Sequence, residues 1–94
     1  MSPERRRVLF FGRVQGVGFR YTAARLAPEF GVSGFVRNVC DGSVELEAQG
    51  DPARIREFLD AIQSELGPKI YRTDESTIQL DELEPPSSFP IRYD

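Results

Sequence analysis

The fold is decided by residues 33–49, Ser33-Gly34-Phe35-Val36-Arg37-Asn38-Val39-Cys40-Asp41-Gly42-Ser43-Val44-Glu45-Leu46-Glu47-Ala48-Gln49 (SGFVRNVCDGSVELEAQ). Two runs rich in Val and Phe or in alternating apolar residues flank Asp41-Gly42, a hairpin signal. Val44, Leu46 and Ala48 alternate with Glu45, Glu47 and Gln49. The second run therefore reads as a strand, Ser43–Gln49, with one buried face and one wet face. The first reads as a strand over Ser33–Val39. A two-residue loop would set Asn38 opposite Glu45. A three-residue loop with Gly42 left-handed sets Asn38 opposite Val44 and Val36 opposite Leu46. The second register keeps the apolar side chains on one face and is the one expected.

Working outward, each side of the hairpin carries a helix and then a strand. Upstream, Phe19, Ala23, Leu26, Ala27 and Phe30 repeat with helical spacing, and Gly31 stands in the C-cap position. Pro28 is expected to kink or loosen the last turn. Before this helix, Val8–Val14 reads as a strand. Met1–Arg7 is polar and is expected to be frayed. Downstream, Asp51 is an N-cap and Pro52 the first helical residue. Ile55, Phe58, Leu59, Ile62 and Leu66 form one apolar stripe, ended by Gly67-Pro68. Ser76–Leu83 reads as a fourth strand. After a turn at Pro85-Pro86, Phe89–Tyr93 reads as a short last strand. The order is βαββαβ plus a terminal strand. It predicts an α+β ferredoxin-like sandwich, an antiparallel sheet with both helices on one face. The first crossover should be right-handed, with strands one and two parallel and strand three between them.

Ninety-four residues with seven Phe predict one domain, 1–94, with a single core. The one cysteine, Cys40, excludes an internal disulfide and points to a reducing, cytoplasmic setting. No apolar run is long enough to span a membrane, so no membrane partner is expected. A monomer is expected at this size. Histidine is absent, which removes imidazole bases, Ser-His triads and the usual zinc sites. No metal and no cofactor are expected. The net charge of −3 is divided unevenly, with the basic excess in the first half. That suits a small anion and is too weak for nucleic acid.

The predicted topology brings the C-terminal ends of strands one and two to one edge. There the segment Gln15-Gly16-Val17-Gly18-Phe19-Arg20 leaves strand one, and Asn38 closes strand two. Glycines in such a loop let successive amides turn inward as an anion nest. The following helix adds its free N–H groups and the positive end of its dipole. Arg20 can fork onto two phosphate oxygens. The segment reads as a phosphate cradle. Neither a dinucleotide G-x-G-x-x-G nor a Walker motif is present.

The same residues resemble the acylphosphatase family. Its first signature, G-x-V-Q-G-V-x-F-R, stands here as Gly12 to Arg20, and its second, G-[FYW]-V-x-N, as Gly34 to Asn38. Asp41-Gly42-Ser43-Val44-Glu45 and Phe89-Pro90-Ile91-Arg92 match further family patterns, so the resemblance covers nearly the whole chain. Phe35 stands where Trp is commoner. The resemblance implies hydrolysis of acyl phosphates to a carboxylate and orthophosphate, without a metal. Arg20 would hold the phosphoryl group together with the backbone amides of Gln15 to Phe19. Asn38 would orient the attacking water. A similar domain opens the large hydrogenase-maturation carbamoyltransferases, usually with Pro after the Arg. Tyr21 at that place favours a free-standing enzyme. Two other readings share parts of this pattern. A non-catalytic phosphate-binding domain would use the same loop. An RNA-binding module of the same strand order needs exposed aromatics where strand three offers Glu45, Glu47 and Gln49.

Overall fold

The computed structural model describes residues 2–93. In chain order the elements are β1 (Glu4–Gly12), α1 (Phe19–Phe30), β2 (Ser33–Asn38), β3 (Val44–Gly50), α2 (Pro52–Leu66), a 3-10 turn (Gly67–Lys69), β4 (Ile70–Ile78) and β5 (Ile91–Arg92). The sheet order is β4-β1-β3-β2-β5. Both helices pack on one face, α1 against β2 and α2 against β3. Strand β3 is antiparallel to β1 and to β2, so those two run parallel and end at the same edge. The hairpin takes the expected register, with Val36 opposite Leu46 and Asn38 opposite Val44. Gly42 has a φ of 96°.

The core lies between helices and sheet. Val8, Phe10, Val36, Val44 and Leu46 meet Phe19, Ala23, Ile55, Phe58 and Ile62 there, all buried. Phe10 packs on Phe19 with ring centroids 4.8 Å apart, and Phe58 and Phe89 meet in a T-shaped pair with centroids 5.4 Å apart. The second contact ties the C-terminal segment to the core. The Asp51 carboxylate accepts a hydrogen bond from Ala53 N, and Pro52 follows it, as the cap motif requires. Helix α1 runs through Pro28 to Phe30 and closes on Gly31, whose N–H reaches the carbonyls of Ala27 and Pro28.

Four expectations are corrected. The chain is not frayed before Val8, because β1 begins at Glu4 and ends at Gly12. Arg5 is only 3% exposed. Its guanidinium lies 2.7 Å from Glu47 and 2.9 Å from Glu84. A ladder bonds through backbone groups, so it continues past apolar residues wherever the polar side chains find partners. Secondly, the outer face of β3 is not wet at Glu45, which is 5% exposed. Arg7 and Arg37 both donate to its carboxylate. Thirdly, the fourth strand is Ile70–Ile78 and not Ser76–Leu83. It is an edge strand, exposed at most positions, and so carries no alternating apolar signal. Leu83, counted in that strand from its apolarity, stands 94% exposed in the following loop. Lastly, the sheet is mixed, because β5 adds parallel to β2 through Val36–Ile91 and Arg37–Arg92.

Ion pairs on both faces of the sheet make stability depend on acidity, Glu45 on the outer face and Glu75 on the face that carries α2. Burial raises the Glu45 pKa, but hydrogen bonds and charge from Arg7 and Arg37 outweigh it and hold it below its ordinary 4.5. Glu75, between Arg56 and Arg6, is lowered for the same balance of reasons. A carboxylate with a depressed folded pKa contributes stability above its ordinary value, and loses it as pH falls through the folded one. Glu45→Gln should lower the melting temperature at pH 7 by roughly 5 °C or more. It should also flatten the loss of stability below pH 4.5, the ordinary value for Glu45. Equal melting temperatures of wild type and variant at pH 7 would show that the pairs contribute nothing.

Candidate active site

Residues Gln15–Gly18 form a run of turns between β1 and α1. Gly16 and Gly18 have φ of 77° and 78°, left-handed values that a side chain disfavours. Gly18 is also the N-cap of α1 and supplies no side-chain oxygen. The first-turn amides of Phe19, Arg20 and Tyr21 therefore have no cap partner from it. No acidic residue occupies that first turn. A helix start of this kind favours an anion.

The loop lines an open pocket of about 200 Å³ together with Arg20, Tyr21, Asn38, Ile91 and Tyr93. None of its lining residues is acidic. Arg20 is half-buried and makes no ion pair with any described residue, and its guanidinium carbon lies 4.9 Å from the centre of the Tyr93 ring. Asn38 ends β2 on the helix-facing side of the sheet, beside Val44. Its amide is given to no other described residue. Two half-buried polar groups thus face one small cavity with their donors unspent.

Of the residues expected in the cradle, Gly16, Gly18, Phe19 and Arg20 line the pocket and Gln15 and Val17 do not. Val17 packs against the core. The Gln15 side chain turns away to the hairpin, where its Nε2 donates to the carbonyls of Val39 at 2.7 Å and Ser43 at 2.8 Å. Those carbonyls bracket the turn that follows Asn38. Gln15 therefore ties the loop to the strand end carrying Asn38. No local pattern signals this staple, since it joins residues 24 and 28 positions apart. Tyr93 was equally silent. Once β5 lies beside β2 with Ile91 opposite Val36, strand alternation puts Tyr93 on the side of Asn38 and Arg20.

The acylphosphatase family model matches residues 6–91, the span that holds every element of the site except Tyr93. The chain belongs to the acylphosphatase family. It is 42% identical over 76 residues to an acylphosphatase of Ligilactobacillus salivarius, covering 79% of this chain and 84% of that one. An acylphosphatase of Yersinia pseudotuberculosis is 40% identical over 83 residues, covering 88% and 89%. The crystal structure of acylphosphatase from Bacillus subtilis has a TM-score of 0.84 at 29% identity, over 96% of this chain and 99% of that one. Two helices on a five-strand ferredoxin-like sheet are thus the fold of the family.

Proposed function

We propose that Arg20 holds the phosphoryl group of an acyl phosphate and that Asn38 orients the water that attacks it. As a member of the acylphosphatase family the protein hydrolyses the carboxyl–phosphate anhydride. The observation that carries the division of labour is the pocket, where unpaired Arg20 and Asn38 face one cavity at the start of α1. The guanidinium forks onto two phosphate oxygens. The amides from Gln15 to Phe19 and the helix dipole add to the charge stabilisation. Water oxygen bonds to phosphorus as the bond from phosphorus to the acyl oxygen breaks. The acyl carboxylate leaves with that electron pair. The water proton passes to a phosphate oxygen, because the lining offers no carboxylate or imidazole to take it. The products are a carboxylate and dihydrogen phosphate. A mixed anhydride already has a good leaving group, so positioning and charge stabilisation suffice.

On the same reading the reaction needs no metal and no cofactor. Residues 1–94 act as one domain and as a monomer, with orthophosphate as product and inhibitor. The exposed Cys40 thiol suits a reducing cytoplasm.

Hydrolysis of benzoyl phosphate in excess EDTA tests this. The wild type should turn over rapidly. Asn38→Ala should keep its fold and its affinity for inorganic phosphate while kcat falls roughly 100-fold. A folded wild type that binds phosphate without turnover would leave a binding domain. An Asn38→Ala variant with wild-type kcat would remove Asn38 from the mechanism.

A further inference from the structure

Residues 79–90 leave β4 at one edge of the sheet, cross the outer face and deliver β5 to the opposite edge. Little apolar burial holds this strap. Of its side chains only Phe89 packs against the core, while Leu80 and Leu83 are exposed. An open cavity of about 390 Å³ lies between strap and sheet, bounded by Gly34 on β2 and by Leu83, Glu84, Pro85 and Ser88 on the strap. Ser87 has a φ of 62°, the one positive φ among the described non-glycine residues, and such a conformation is strained. A segment of this kind opens locally at a free energy well below that of global unfolding.

Polar contacts hold the strap down. Arg5 gives Glu84 two hydrogen bonds, 2.9 Å from Nη1 and 3.3 Å from Nη2. Both side chains are almost wholly buried, 4% and 8% exposed. Gln49 grips Asp81 with both ends of its amide: Nε2 donates to the Asp81 carbonyl at 3.0 Å, and Oε1 accepts from Asp81 N at 2.8 Å. Arg5 Nη1 also donates to Gln49 Oε1 at 3.2 Å, which joins the two latches. Further along, Gly34 N donates to Ser88 O at 2.8 Å and Val36 N to Pro90 O at 3.2 Å. Next come Ile91 and Tyr93, which line the pocket that holds Arg20 and Asn38. One wall of the pocket therefore hangs from a strand of two residues at the end of the strap. Asn38 and the 15–20 loop belong instead to β2 and to the start of α1.

We propose that Arg5, Gln49 and Glu84 are positioning residues for the reaction: they latch the strap, and the latched strap keeps Ile91 and Tyr93 against the phosphoryl site. Opening takes the Tyr93 ring away from the Arg20 guanidinium, which must then be ordered at each binding event, so the open state binds phosphate more weakly. By linkage, bound phosphate favours the latched strap to the same extent. This rests on the reading of the 15–20 pocket as the phosphoryl site.

The test severs both latches in Gln49→Ala/Glu84→Ala, which leaves Arg5 its bond to Glu47. Hydrogen exchange of the Gly34 and Val36 amides, which donate to carbonyls of the strap, reads its opening directly. In the variant these two amides should exchange roughly a hundredfold faster, with the amides of the β1–β3 ladder changed far less. Inorganic phosphate should slow them by a larger factor than it slows the ladder. KM for benzoyl phosphate and the inhibition constant of inorganic phosphate should rise together, roughly threefold or more, with kcat near that of wild type, because binding is reduced by the fraction of molecules that stay latched. Glu84→Ala alone should show the same changes at smaller size. On a Tyr93→Ala background the double change should raise KM much less. A latch that served only the fold would speed exchange and leave both constants unmoved. That result, or unchanged exchange at Gly34 and Val36, overturns the proposal. Wild-type turnover of benzoyl phosphate and its inhibition by phosphate check the underlying reading separately: if that reading fails, the exchange difference between variant and wild type persists and the phosphate effects vanish, and the latch loses its link to the site.

Discussion

Arg20→Ala should fold as the wild type does and hydrolyse benzoyl phosphate roughly a thousandfold more slowly. Removing one preorganised donor from a developing oxyanion slows an enzyme about 10²–10³-fold, and an arginine on a transferring phosphoryl group contributes 10³–10⁵. The fold should tolerate the change, because Arg20 has no ion pair with any described residue and loses only its contact with the Tyr93 ring. That contact is worth about 0.5–1 kcal/mol at a partly exposed site. The informative companion is Arg20→Lys. An ammonium keeps the charge and cannot fork onto two oxygens. If bidentate contact is what Arg20 supplies, Lys should recover less than about a tenth of the lost rate, and affinity for inorganic phosphate should fall in both variants. Kinetics with benzoyl phosphate, phosphate inhibition constants and thermal melts decide it. Near-wild-type rates for Arg20→Lys would mean that charge alone is needed and that the fork is not.

The parts of this site that could be read from sequence are those whose signals are local. The loop from Gln15 to Arg20 and the hairpin around Asp41-Gly42 depend on glycines and on alternation within a few residues. The register that aims Asn38 into the pocket followed from keeping Val36 and Leu46 on one face. The order of elements then placed both strand ends at one edge. What escaped depends on partners far away in sequence. Arg5 looked like a solvated terminus until Glu47 and Glu84, 42 and 79 residues on, surrounded it. Alternation places Glu45 on the outer face of β3, and nothing local shows that this face is covered there. Arg7 and Arg37 instead come from the two strands that flank β3. The fourth strand was misplaced because an edge strand exposed on both faces has no apolar period to read. Its position is set by backbone pairing with β1, from Arg5–Ile78 to Gly12–Ile70.

A residue with no side chain should matter as much to activity as Arg20. Gly34 lies in β2 with a φ of 146°, and a Cβ there would stand 1.8 Å from the carbonyl oxygen of Glu47. Real contacts never come so close, and the obstacle is backbone of the central strand, which cannot swing aside. The other side is closed too: Gly34 N donates to Ser88 O at 2.8 Å, and the Cβ would meet the Phe89 ring at 3.2 Å. Accommodating a methyl group means parting β2 from β3 or from the segment that delivers β5. Either move disturbs the strand whose end carries Asn38, or the one that places Ile91 and Tyr93 in the pocket. Gly34→Ala should therefore lose more than about 4 kcal/mol, at the extreme of single substitutions and a large part of the 5–15 kcal/mol typical of a domain. For a domain of this size that is a fall in melting temperature of roughly 15–30 °C. Activity should disappear with the fold. Inorganic phosphate separates the two kinds of loss. Bound only by the native state, it should raise the melting temperature of Gly34→Ala and leave that of Arg20→Ala nearly unmoved. Were Gly34→Ala to melt within a few degrees of wild type, β2 would have to be free to slide along β3, and the register that positions Asn38 would have some other origin.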